Sequence, residues 1–178
     1  MKRLTGAFVV GALAVILSAS PAKAQYVFLG AGASIPTGDF KTYAKTGFIA
    51  QGGIGFDIGD KGLWAEAEGY WGTNTHKAAF PNEKTNIIAG MAALGYSFMT
   101  EKSVSPYLTG GLGFQSHMFK DEANSANNDT ETKLGYTGAA GLGFKVGTKA
   151  HLWVEGRFLG SSTSKMFAAF GGFTVQLK

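Results

Sequence analysis

The side chains best suited to chemistry are five charged residues set among apolar neighbours: Glu66, Glu68, Lys145, Glu155 and Arg157. Glu66 and Glu68 form an i, i+2 carboxylate pair of the kind used for general acid–base work. Glu155 and Arg157 repeat that spacing with opposite charges, which suits an ion pair. Ser116-His117 sets a hydroxyl beside an imidazole, and His76 and His151 complete the histidines. In an extended chain, adjacent side chains point to opposite faces, so Ser116 and His117 cannot act together as nucleophile and base. Three scattered histidines and no cysteine make no metal centre. The acidic stretch from Lys120-Asp121-Glu122 to Asn128-Asp129-Thr130-Glu131 resembles a calcium loop only in charge, because Ala123 and a missing glycine break the ligand spacing. The glycine triplets Ile54-Gly55-Phe56, Leu94-Gly95-Tyr96 and Leu142-Gly143-Phe144 lack the Lys-Ser/Thr of a phosphate loop. No catalytic, cofactor-binding or metal-binding residues are assigned. The charges must be placed by the elements that carry them.

Residues 1–24 read as a secretory signal peptide: Lys2 and Arg3, an apolar run from Ala7 to Leu17, and Ala22-Lys23-Ala24 before Gln25. Residues 25–178 then form one domain. Removing the leader takes Lys2, Arg3 and Lys23 with it and leaves 13 basic against 12 acidic groups, which removes the electrostatic case for nucleic-acid binding. Glycine is 27 of 178 residues, about 15% against a usual ~7%. Charged residues are only 16% against a usual ~25%, so a soluble enzyme surface is poorly supplied.

Period-2 alternation recurs eight times and predicts strands at Tyr26–Ile35, Gly47–Ile58, Leu63–Thr73, Asn86–Phe98, Pro106–Gln115, Lys133–Val146, His151–Gly160 and Met166–Leu177. One alternate set is uncharged and apolar, from Val27, Leu29 and Ala31 to Phe173, Val175 and Leu177. The other is mixed and polar: Gln51, Glu66, Glu68, Tyr70, Thr109, Gln115, Thr137, Lys145, Glu155, Arg157, Thr174 and Gln176, with Trp64 and Trp153 among them. Connections alternate between short (Gly59–Gly62, Met99–Ser105, Gly147–Ala150) and longer (Pro36–Thr46, Asn74–Thr85, Ser116–Thr132, Ser161–Lys165). This puts the long loops at one end of an up-and-down meander.

The five strand-interior charges decide which face meets lipid. Facing it, a basic residue costs roughly 2–4 kcal/mol near the midplane and an acid somewhat less, together on the order of 10 kcal/mol. The polar set therefore lines the interior of any membrane barrel. Gln51, Glu66, Glu68, Gln115, Lys145, Glu155 and Arg157 are expected to form a lumenal polar network, since an unpaired buried ion costs several kcal/mol. Gly53, Gly55, Gly111, Gly113, Gly141 and Gly143 are expected to make room for Trp64, Tyr70, Tyr107 and Trp153. On the apolar face, Phe48, Trp71, Phe114, Tyr136, Phe158 and Phe167 lie toward the long loops, and Phe56, Tyr96, Phe98 and Phe144 toward the short turns. Phe48 to Phe56 spans eight steps, about 20 Å vertically at ~3.3 Å per step and ~40° tilt. Two aromatic girdles about that far apart suit a bilayer.

The leader, the eight amphipathic strands, the GGIGF, GGLGF and AGLGF segments and the LGAGASIPTGDF opening resemble the small bacterial outer-membrane β-barrel family, which includes the OmpA transmembrane part and the OmpX/Ail proteins. The resemblance covers the whole mature chain. It implies an all-β fold, an eight-stranded antiparallel up-and-down transmembrane barrel in the outer membrane with both termini periplasmic. The implied partners are outer-membrane lipid and the insertion machinery, with any surface ligand at the long loops; the chain is expected to be a monomer without cofactors. Such barrels usually end in an aromatic residue, whereas this chain ends Phe173-Thr-Val175-Gln-Leu177-Lys178. A few outer-membrane barrels are lipid A enzymes, yet the expected role here is non-catalytic, in envelope structure or surface interaction through the loops. A narrow porin-like channel for ions or small solutes is the alternative, and a soluble periplasmic barrel stands third.

Overall fold

A computed structural model describes residues 26–59, 61–79, 83–99, 102–121 and 129–177. Eight strands follow one another: β1 (Tyr26–Thr37), β2 (Gly47–Ile58), β3 (Leu63–Thr75), β4 (Glu83–Ser97), β5 (Val104–Asp121), β6 (Asp129–Lys145), β7 (Ala150–Ser161) and β8 (Lys165–Gln176). Each pairs antiparallel with the next, and β8 returns to β1, closing the barrel in chain order. Closure leaves no sheet edge over the span in which all eight strands pair, while the projecting start of β6, residues 129–134, pairs on one side alone. The β1–β8 register sets Tyr26 opposite Gln176, which brings both ends of the barrel chain to the short-turn end.

The alternation read from sequence gives the observed faces. Val27, Leu29, Phe48, Leu94, Leu112, Leu134, Leu152 and Phe173 point outward, and Phe28, Gln51, Glu68, Gln115, Arg157 and Phe170 point inward. A one-residue slip would exchange these faces and put charges on the apolar side, which holds the register. Strand β2 matches its expected span, and most other ends differ by one to three residues.

The larger departure is the expected Ser116–Thr132 loop. Most of it is strand, with His117 opposite Glu131 and Phe119 opposite Asp129, so β5 and β6 make the longest hairpin of the barrel. Ser116 and Thr132 bond across it through their hydroxyls at 2.7 Å. Here the chain has left the apolar band, so both faces are mixed, with Met118 on one and Phe119 on the other among polar residues, and the alternation that marks a strand disappears. A second departure is the short helix α1 (Phe40–Tyr43) in the β1–β2 connection, too brief to show a periodicity. It turns Phe40 inward, where that ring is buried at the long-loop end.

Glycines pack aromatics in a repeated way. In β1–β2, β3–β4, β5–β6 and β7–β8, an inward ring lies over the glycine directly opposite: Tyr26 on Gly55, Trp64 on Gly95, Tyr107 on Gly141 and Trp153 on Gly172. A Cβ at these glycines would fall 2.2–2.4 Å from the ring. The expected pairing of glycines with rings is thus corrected. Of the six glycines named for that purpose, Gly55, Gly53 and Gly141 sit under Tyr26, Phe28 and Tyr107. Gly111 and Gly113 instead allow close approach to the β4 backbone, and Gly143 has only a carbonyl at 3.7 Å. The reason is register: a ring covers the residue across from it, and that partner cannot be known before the strands are paired.

Candidate functional site in the barrel lumen

The interior is filled in layers. At mid-height, β7 carries Glu155 and Arg157 on its inward face, while β3 brings Glu68 and Tyr70 from across the barrel. The guanidinium Nη1 donates to Glu68 Oε2 at 2.7 Å, and Nε donates to Glu155 Oε1 at 2.7 Å. Nη2 donates to Glu155 Oε2 at 3.2 Å, so the Glu155 contact is bidentate. Thr137 and Thr109 hydroxyls accept the remaining guanidinium hydrogens at 3.3 and 3.5 Å, and Tyr70 bonds both Arg157 and Glu68. Gln51 and Tyr107 complete the shell, donating to Glu155 at 3.1 and 3.0 Å. Arg157 is 2% exposed. All its polar nitrogens are engaged, the condition under which a buried guanidinium is tolerable.

Three residues expected in this network lie elsewhere. Glu66 sits one layer nearer the short turns, where the Tyr26 hydroxyl donates to it at 3.5 Å with the Trp64 indole alongside. Gln115 is fully buried one layer nearer the long loops, and among the described residues neither of its side-chain polar atoms has a hydrogen-bond partner. Lys145 is the last residue of β6 and is exposed at the short-turn end. The alternation assigns each to the inward face, but height along the barrel separates them from the guanidinium.

Above Arg157 lies a layer absent from the expected site. Ile49, Ile87, Met91, Leu159 and Met166 are each at most 1% exposed, and Ala168 and Phe170, opposite Arg157 and Glu155 in the β7–β8 register, pack with them. Its signal was present in the sequence, because these residues fall on the polar phase of their strands and interrupt it. Toward the long loops, a polar layer closes over this plug. Asn74 binds Ser34 and the Lys45 carbonyl at 2.9 and 2.8 Å, and His76 binds Glu83 and Thr85 at 3.0 and 2.9 Å. Tyr43 of α1 stacks edge-on against His76 with ring centroids 5.1 Å apart. His117 meets not Ser116 but the hydroxyls of Ser164 and Ser161, at 3.2 and 3.4 Å. That cluster is buried, with His117, Ser161 and Ser164 each at most 4% exposed.

On the outer face, Phe48, Trp71, Phe114, Tyr136 and Phe167 are exposed toward the long loops, and Phe158 is wedged between Tyr136 and Phe167 at 5.9 and 5.2 Å. Phe56, Tyr96 and Phe98 are exposed toward the short turns, and Phe144 is half-buried.

Residues 9–177 match the family described as outer membrane protein beta-barrel domain. The chain belongs to that family. Its apolar outer wall is accordingly the surface that meets outer-membrane lipid. Among solved structures, the fold is similar to Neisserial surface protein A, with a TM-score of 0.64 and 17% identity over 85% of this chain and 96% of that one. It is also similar to the N-terminal barrel of Pseudomonas aeruginosa OprF, at 0.57 and 16% over 86% and 98%. Ail, the attachment invasion locus protein of Yersinia pestis, gives 0.54 and 13% over 87% and 99%. At these identities the likeness is one of fold. No curated protein matches the chain.

Proposed function

We propose that this chain is a closed, non-conducting outer-membrane barrel with a non-catalytic role, stabilising the envelope and presenting its long-loop end for surface contact. The observation carrying this reading is the plug of Ile49, Ile87, Met91, Leu159 and Met166, each at most 1% exposed, which closes around the buried Gln115 amide and offers an ion no charged group to follow. Below it, the Arg157 network adds a lock rather than a path, because its charges are spent on one another. The surface reading draws on the β5–β6 hairpin, which extends beyond the outer aromatic girdle, and on α1, whose ring packing with His76 gives that end a shape. The structural neighbours include a surface protein and an attachment protein, the latter also solved with the heparin analogue sucrose octasulfate.

Residues 1–24 serve as the cleaved leader in this reading. The short-turn end, with both barrel termini, faces the periplasm, and the barrel works as a monomer inserted by the outer-membrane assembly machinery. Conductance of the refolded protein in a planar bilayer tests the function, with silence expected and stable openings overturning it. N-terminal sequencing of the mature protein is expected to begin at Gln25. Protease added to whole cells should cut the long-loop end alone.

The narrow channel has one observation in its favour: the lumen is open at the short-turn end and ends blind at Arg157. Conductance appearing in the unaltered protein would select it.

A further inference from the structure

The blind lower lumen is a cavity of about 210 Å³, bounded by Tyr26, Trp64, Glu66, Tyr107 and Gln51 and closed above by the Glu155–Arg157 pair. Its polar groups are unbalanced. The Tyr26 and Tyr107 hydroxyls donate to Glu66 and Glu155. The Arg157 hydrogens are consumed by Glu68, Glu155, Tyr70 and the two threonines. At the inner end what remains is acceptor capacity, while Asp57, His151, Thr174 and Gln176 line the cavity toward its mouth. Gln51, 4% exposed, leaves its Oε1 without a partner, and among the described residues no cation lies within 4 Å of Glu66. Three carboxylates, Glu66, Glu68 and Glu155, share the lumen with one guanidinium. The walls are rings whose π faces attract cations. Among the described residues, no group of three or more His, Cys, Asp or Glu converges as a metal site would require.

We propose that the cavity is a binding site for a small alkylammonium, its N–H groups shared between the Glu66 carboxylate and Gln51 Oε1 and its carbon stem packed against Tyr26, Trp64 and Tyr107. A donor with positive charge answers both the unpaired carbonyl and the charge imbalance, and a hydrocarbon stem suits the aromatic walls. An anion or a neutral acceptor would add to the surplus already present. The volume is below that of ordinary drug-sized pockets, which start near ~300 Å³, and limits the guest to a few heavy atoms. The ammonium has two sources, a free amine entering through the short-turn end or the chain's own Lys178, which follows the cavity residue Gln176 by two positions.

The test uses the refolded full barrel in detergent micelles with Trp71→Phe, so that fluorescence reports Trp64 and Trp153 alone. n-Butylammonium is titrated against 1-butanol and butyrate as neutral and anionic controls. A saturable response to the ammonium alone is expected, with a Kd in the millimolar range for so small a guest. Glu66→Gln should raise Kd by about tenfold or more. Gln51→Leu, which keeps all three carboxylates and gives up only the Gln51 bond to Glu155, should raise it severalfold and covers the case in which Glu66→Gln does not refold. If Lys178 is the guest, the response appears only with Lys178→Gln. The proposal is overturned if neither the parent barrel nor Lys178→Gln gives a saturable response. It is equally overturned if 1-butanol binds as well as the ammonium, or if Glu66→Gln and Gln51→Leu, both refolded, leave Kd unchanged.

Discussion

The two halves of the lumen solve the same packing problem in opposite ways. Toward the long loops, the barrel is filled with Ile, Met, Leu and Phe in an apolar plug that encloses the Gln115 amide. Toward the short turns it is lined by tyrosine, tryptophan and carboxylates and keeps an open cavity. Both are enclosed by the same eight strands and the same outer wall. The contrast shows that an eight-stranded wall does not dictate what fills it: the inward phase of each strand is free to change character halfway along. Arg157 stands at the border, where the last charged layer meets the first apolar one, and its network is the ceiling of the cavity and the floor of the plug.

The largest expected effect comes from removing that border. Arg157→Ala leaves Glu68 and Glu155 buried without their cation, at a cost of about 3–5 kcal/mol. The temperature at which the folded, fast-migrating form is lost on gel electrophoresis should fall sharply. Replacing Arg157, Glu68 and Glu155 together by Met, Gln and Gln should cost much less. Equal losses would mean that the layer is not acting through its charges.

Met91→Ala and Met166→Ala attack the upper half alone. Each should cost about 2–5 kcal/mol, and the pair should admit water and raise bilayer conductance above the silent parent. An opened plug that still does not conduct would show that the Arg157 layer seals the lumen unaided.

A smaller effect separates two glycines of the same strand. A Cβ at Gly95 falls 2.2 Å from the Trp64 ring, whereas one at Gly90 meets nothing within 4 Å. Gly95→Val is expected to cost about 1–3 kcal/mol through overpacking, and Gly90→Ala should stay within about 0.5 kcal/mol. The smallest change belongs to the cavity wall: Thr174→Val, at a half-buried lining position, should also stay within about 0.5 kcal/mol. A larger loss there would show the lower half to be as tightly packed as the upper.

Much of this architecture was legible in the sequence because a lipid-facing wall forbids charge on every second residue. That rule alone separated Leu29, Leu94 and Phe173 from Glu68, Glu155 and Arg157. It stops working where the wall leaves the bilayer, which is why Ser116–Thr132 looked like a loop. It says nothing about height, so Lys145 and Gln115 were grouped with a guanidinium that they do not reach. Contacts across the closed barrel, such as Arg157 with Glu68, depend on eight successive registers and cannot be read from any one strand. The hydroxyl partners of His117 were hidden for the same reason, since Ser161 and Ser164 lie on the far side of the β6 strand in the wall.

The four rings laid over four glycines have a consequence for assembly. Each pair is complete within one hairpin, so each hairpin carries a steric key to its own alignment before the barrel closes. A shift of two residues would preserve the faces yet drive Trp64 against Ala93 or Ser97 and Trp153 against Phe170 or Thr174, whereas Tyr26 and Tyr107 would find another glycine, Gly53 or Gly143, in one of the two directions. The β3–β4 and β7–β8 hairpins are therefore self-indexing in both directions and the β1–β2 and β5–β6 hairpins in one, and the seams between the four must find their alignment at closure. An isolated β5–β6 hairpin in micelles should already place the Tyr107 ring over Gly141, visible by NMR as an upfield shift of the glycine α-protons.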